Sequence, residues 1–127
     1  PEQILKVLEF TNRPEYYDYY LIHCAVLIAI GCTVRGGEIG GLQWDKINFE
    51  KQIIHFDRAI DRVSKKNMDM PKMNILFKFP NLYPGTKTTI VLKQPKSDDT
   101  VRDVDVPQSV LNALLILKEM QDKLKRN

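Results

Sequence analysis

GCTVRGGEIGGLQW, residues 31–44, decides how the rest of this chain is read. It closes the apolar run LIHCAVLIAIGC at 21–32 and places Arg35 at its exit. Beyond it the hydrophobic period changes from that of a helix to that of a strand. Glu38 stands at i+3 from Arg35, Leu42 at i+7 and Trp44 at i+9, so Arg35 to Leu42 reads as a short helix. Gly36, Gly37, Gly40 and Gly41 weaken it, by about 1 kcal/mol each relative to alanine. A charge at the exit of a buried helix needs a partner there.

Working toward the N-terminus, Ile4, Leu5, Val7, Leu8 and Phe10 recur at helical spacing. They predict an amphipathic helix ending near Thr11 and Asn12. Pro14 and Glu15 open a second helix, YYDYYLIHCAVLIAIG. It is apolar nearly all round and is expected at the centre of the core. Working toward the C-terminus, Ile47, Phe49, Ile53, Ile54 and Phe56 predict a turn around 48–51 and then a strand. TTIVLK at 88–93 and VRDVDV at 101–106 predict two more. PKSDDT joins them, and its Pro, Ser and Asp residues favour a hairpin connection. Pro107 opens a last amphipathic helix, with Val110, Leu111, Leu114, Leu115, Leu117 and Met120 as the expected buried stripe.

Residues 61–87, with Pro71, Pro80, Pro84 and Gly85, read as an insertion between the first and second strands. Structureless loops of that length are uncommon in compact domains, so partial structure is expected within it. The expectation is one α+β domain over 1–127, mainly helical, with a small three-stranded antiparallel β-sheet in the order αααβββα.

The chain has 127 residues, 43% of them hydrophobic and 28% charged, which fits an ordinary folded domain rather than a disordered one. A net charge of +3 permits a polyanionic partner without demanding one. Cys24 and Cys32 lie in an apolar stretch without metal-ligand spacing, so reduced core cysteines are expected, with no metal and no cofactor. The run 21–32 is well short of the ~20 residues that span a bilayer, and no signal peptide is visible. These features predict a cytoplasmic protein without a membrane partner. A start at Pro1 and a stop straight after a helical pattern predict a piece of a longer protein.

Two readings of Arg35 stand side by side. One is an i, i+3 ion pair with Glu38. The other is a phosphate ligand, since a guanidinium donates two parallel hydrogen bonds and keeps its charge. Lys96, followed by Ser97 and then Arg102, sits in the expected hairpin. Taken alone, a lysine there is a solvated one.

Taken together, TVRGGEIGGLQW and PKSDDTVRDVDVP resemble two boxes of the tyrosine recombinases, the phage-integrase-like family that breaks and rejoins DNA. The first box has the form Gly-x-Arg-x-x-Glu-x-x-x-Leu-x-Trp, matched by Arg35, Glu38, Leu42 and Trp44, with Thr33 where glycine is common. The second is Pro-Lys-Thr followed by a polar turn and an arginine, matched by Pro95, Lys96 and Arg102, with Ser97 in the threonine's place. The resemblance covers nearly the whole chain as the N-terminal half of a catalytic domain.

It implies a tyrosine that attacks a DNA phosphodiester, leaving a 3′-phosphotyrosine and a free 5′-hydroxyl without a cofactor. Arg35 would offset charge on the non-bridging oxygens, and Lys96 would protonate the departing 5′-oxygen. Glu38 would support Arg35. Arg62, Lys65, Lys66 and Arg102 are candidate contacts to the DNA backbone, which position without specifying.

The family's His-x-x-Arg box and tyrosine follow the lysine. Here His55 and Arg58 precede Lys96, as do all five tyrosines, so the fragment alone is expected to be inactive. His23 is expected to be a core histidine. The partners implied are double-stranded DNA and further recombinase protomers assembled on it. The alternatives are a non-catalytic DNA-binding module of the same fold and a helical interaction domain.

Overall fold

The computed structural model describes residues 2–67, 74–81, 85–95 and 100–126. Four helices run over Glu2–Thr11 (α1), Tyr17–Gly31 (α2), Gly36–Gly40 (α3) and Gln108–Arg126 (α4). Six strands run over Ile47–Asn48 (β1), Ile53–Phe56 (β2), Ala59–Ser64 (β3), Ile75–Lys78 (β4), Thr88–Lys93 (β5) and Arg102–Asp105 (β6). The chain divides into two compact units. One holds 1–34, 49–52 and 105–127, and the other holds 35–48 and 53–104.

In the helical unit α2 packs on α1 and on α4. Tyr20, His23, Cys24 and Ile28 bury one stripe of α2 at i, i+3, i+4 and i+8. The opposite face is open, with Leu21, Ile22 and Ile30 exposed, so α2 is less central than its composition predicts. Two neighbouring helices cover one side of a helix, and apolar composition cannot cover the other. Cys24 donates through its thiol to the Ala113 carbonyl at 3.5 Å. Burial pushes its pKa up to about 12, so it stays an inert thiol. His23 is buried, with Nδ1 3.2 Å from the Thr11 hydroxyl, and burial lowers its pKa. Its place is that of a core histidine.

Pro107 does open α4, since its carbonyl accepts from the amides of Val110 and Leu111 at 3.1 and 3.2 Å. Val110, Leu111, Ala113, Leu114 and Leu117 are its buried residues, while Leu115 is exposed and Met120 half-buried.

The second unit holds the strands, and the class is α+β as read. They build two antiparallel three-stranded sheets rather than one, ordered β1-β2-β6 and β3-β5-β4. The stretch from Ile53 to Ser64 breaks at Asp57 and Arg58, and each half takes different partners. Ile47 and Asn48 face Ile54 and Ile53 across a turn in which Gln52 has a φ of 59°. β5 is the middle strand of its sheet, paired with β3 from Ala59↔Lys93 to Ser64↔Thr88 and with β4 on its other edge.

This order corrects the expected hairpin between the second and third predicted strands. Both edges of β5 are occupied, so β6 pairs with the free edge of β2 instead. Lys96 and Ser97 lie outside the described residues. Part of segment 61–87 is regular: β3 runs into it and β4 lies within it as an edge strand, with a bulge between Ile75 and Phe77.

Candidate active site at the start of the third helix

The site is built where α3 lies on β3. A Cβ on Gly37 would stand 2.6 Å from the Ile60 carbonyl oxygen, closer than real Cβ contacts come. One on Gly41 would stand 3.0 Å from Leu92 Cδ1 and 3.2 Å from Ala59 Cα. These glycines let a helix lie against strand backbone, where a larger residue would push it away. Gly36, by contrast, has open space around it. The glycine pairs that weaken the helix by propensity are what bring it onto the sheet.

Arg35 precedes α3 with an extended backbone (φ −86°, ψ 152°). Its amide donates to Glu38 Oε1 at 2.9 Å, and its carbonyl accepts from the amides of Glu38 and Ile39 at 3.0 and 3.3 Å. Glu38 thus fastens the first turn, satisfying an amide that the helix leaves unpaired. The side chain of Arg35 is exposed, and among the described residues no carboxylate forms an ion pair with it.

Glu38 is otherwise engaged. Arg102 Nη1 donates to its Oε2 at 2.8 Å and Arg102 Nη2 to its Oε1 at 3.1 Å. This two-pronged pair reaches a residue 64 positions away, and only 8% of Glu38 is exposed. The Arg102 guanidinium, the Arg35 amide and the charge of Arg35 hold the Glu38 carboxyl below its usual range, against the opposing effect of burial. Arg102 Nη1 also donates to the Thr100 carbonyl at 2.8 Å, and its guanidinium carbon lies 5.6 Å from the centre of the Phe56 ring. The local ion pair weighed for Arg35 is therefore not formed. Glu38 bonds the backbone of Arg35 and the side chain of Arg102.

Arg102, read from sequence as a DNA contact, is half-buried in this network. No sequence signal joins it to Glu38, because the pair depends on β6 joining the sheet of β2. Arg62 is exposed on β3, with Nη1 3.4 Å from the Thr88 hydroxyl, and Lys66 is exposed in the short turn of helix after that strand. Lys65, in the same turn, is half-buried.

In the sequence His55-Phe56-Asp57-Arg58, His55 and Arg58 are committed to nearby acids. His55 Nδ1 lies 2.7 Å from Asp103 Oδ1. Arg58 donates to both oxygens of Asp57 at 2.8 and 3.2 Å, and Lys46 Nζ lies 3.2 Å from Asp57 Oδ2. Arg58 and then Lys46 hold the Asp57 carboxyl down to about 2. Among the described residues no group of three His, Cys, Asp or Glu side chains could hold a metal ion, and no helix is long and apolar enough to cross a membrane.

No protein-family model matches the sequence, and no curated protein does. Among solved structures, the chain is similar to the Tn1549 transposon integrase in complex with transposon right end DNA. The match has a TM-score of 0.56 at 19% sequence identity. It covers 91% of this chain and 29% of that one, so the present chain spans under a third of the integrase's length. In fold, this chain is similar to a transposon integrase over nine-tenths of its own length.

Proposed function

We propose that this chain is part of a DNA-breaking and rejoining recombinase of the tyrosine type, in which Arg35 and Lys96 act on the scissile phosphate. One observation carries the reading: Arg35 stands at a fixed, exposed turn while its nearest carboxylate, Glu38, is occupied by Arg102. An arginine that pairs with no carboxylate among the described residues is available to a phosphate. The likeness in fold to an integrase solved with DNA supports DNA as the partner.

In this reading a tyrosine supplied from outside the 127 residues attacks phosphorus. An O–P bond forms to the tyrosine as the bond to the 5′-oxygen breaks. Lys96 delivers a proton to that oxygen, and Arg35 offsets the charge on the non-bridging oxygens. Glu38 supports Arg35 by holding its amide. Arg62, Lys65 and Lys66 touch the DNA backbone, and further protomers of the same kind assemble on double-stranded DNA. The whole protein works in the cytoplasm.

The test uses the full-length protein and a nicked duplex bearing the DNA end that flanks its gene. A second duplex carries sulfur as the 5′-bridging atom, a leaving group that needs no acid. Arg35→Ala should cut neither substrate, with a loss of ~10²–10³-fold or more. Lys96→Ala should fail on the oxygen substrate and approach wild type on sulfur. A wild-type protein that binds duplex DNA in a salt-dependent way yet cuts neither substrate would identify a non-catalytic binding module. Lysine at position 35 should rescue poorly, because a point charge cannot make two parallel hydrogen bonds.

A further inference from the structure

We infer that the β3-β5-β4 sheet carries a groove for one unpaired nucleotide, which takes the base on its apolar floor and the phosphate on Arg62. The recombinase reading sets phosphates on Arg62 and gives the bases no site. The inference goes beyond that reading and takes from it only that the strand is DNA.

The row of side chains that builds the groove crosses the whole sheet. Arg62 stands opposite Ile90 in the ladder of β3 with β5. On the other edge of β5, the amide of Phe79, one residue past β4, donates to the Ile90 carbonyl at 3.0 Å. A guanidinium, an aliphatic side chain and an aromatic ring thus follow one another over two strand spacings, roughly 10 Å. All three line one groove of about 440 Å³, with Pro80, Asn81 and Thr88 at its sides. Ligand sites commonly enclose ~300–1,000 Å³. Ile90 is 41% exposed although its strand is the middle one, so the sheet is open there.

The charge beside the groove has no acid to balance it. Side chains alternate between the two faces of a strand, so Asp61 turns away from Arg62 and pairs with Lys93 at 2.6 Å. Arg62 Nη1 donates to the Thr88 hydroxyl at 3.4 Å. Lys65, Lys66 and Lys87 stand at the same end of the sheet, where the Lys65 amide donates to the Lys87 carbonyl at 3.0 Å. Among the described residues no carboxylate forms an ion pair with any of these four cations.

Four unbalanced cations call for a polyanion, and the apolar floor calls for one that carries flat apolar groups. A single nucleic-acid strand has both, since every base offers a face to an aromatic ring and every phosphate takes a guanidinium. In a duplex the bases are stacked inside, and only the phosphates reach the cations. The Thr88 hydroxyl and the Asn81 amide supply donors and acceptors for a base edge. An acidic peptide would match the charge, but a carboxylate brings no flat face to the ring.

Fluorescence anisotropy on the full-length protein tests this with four probes. They are a thymidine decamer, an abasic strand with the same phosphates, a duplex of equal length, and a peptide of alternating Glu and Phe. The decamer should bind more tightly than the abasic strand by ~5–10²-fold, the worth of stacking one base. Phe79→Ala should remove that advantage and leave the Kd for the abasic strand within about twofold. Arg62→Met should weaken both strands and lower the salt slope of log Kd by about 0.7. Ile90→Glu sets a carboxylate beside Arg62 at an exposed position and should weaken the decamer more than the duplex. Loss of the fold would weaken every probe together, so the selective losses mark the groove.

An equal Kd for the decamer and the abasic strand would reduce the site to phosphate contacts. A decamer advantage that survives both Phe79→Ala and Ile90→Glu would place the bases elsewhere. A peptide bound more tightly than the decamer, with the difference lost in Phe79→Ala, would give the groove to a protein partner. Each of these results overturns the inference. No strand is cut in these measurements, so a wild type that fails the cleavage assay removes the recombinase reading and leaves the nucleotide groove standing.

Discussion

The helical unit and the strand unit are held together by different physics. In the first, α2 and α4 bury Tyr20, Cys24, Ile28, Leu111, Leu114 and Leu117, and the few buried polar groups pair among themselves, as Thr11 does with His23. In the second, the buried apolar residues among those described are fewer, and acid–base pairs stand among the strands, including Glu38 with Arg102, Asp57 with Arg58 and Lys46, Asp61 with Lys93 and Asp103 with His55. Apolar burial does not titrate. Ion pairs do, and they also fix the directions of side chains. The candidate chemistry lies in the unit whose contacts are directional.

Breaking the apolar side of this comparison should have the largest effect on stability. Leu111 is wholly buried, so Leu111→Ala should cost about 2–5 kcal/mol in urea unfolding followed by far-UV circular dichroism. A cost under about 1 kcal/mol would mean that the α2–α4 contact is not a packed core.

Acid should act on the other unit. The Asp57 carboxyl sits at about 2 when folded against 3.8 ordinarily, so below 3.8 the unfolded chain takes up more protons than the folded one. The stability it contributes is full above 3.8 and is lost as pH falls toward 2, on the order of 2 kcal/mol in all. Glu38, also lowered, adds in the same direction as pH drops below 4.5. Trp44 is the single tryptophan and belongs to the strand unit, so its fluorescence reports there. It should shift at a higher pH than the helical circular dichroism does. Coincident acid transitions would erase the distinction between the units.

A neighbouring pair of glycines gives the finest test. Gly37→Ala should destabilise by about 1–3 kcal/mol, because its methyl meets a backbone oxygen. Gly36→Ala meets open space and should gain up to about 1 kcal/mol from helix propensity. Thermal unfolding of both variants, read by Trp44 fluorescence, checks the pair. Equal effects would mean that α3 does not rest on the strand as described.

Much of this could be read along the chain. The first two helices and the last one follow from apolar spacing and from Pro107, because helix contacts are local in sequence. The α+β class follows from the change of period after Trp44. Arg35 and Glu38 were legible as a pair by spacing, yet the nature of their bond was not. Spacing allows an ion pair, whereas the structure gives a carboxylate bonded to a backbone amide.

The sequence by itself determined the first two helices, the last helix and the strands at 53–56, 88–93 and 102–105, and that an arginine and a glutamate share the turn at 35–38. Only the tertiary structure decided that β5 is hemmed in on both edges, that β6 joins β2, and that Arg102 therefore reaches Glu38. The periods of helices and strands are set by neighbours three, four or two residues apart. The choice of strand partner is settled by which edges remain free once the chain has folded back on itself, and no local pattern encodes that.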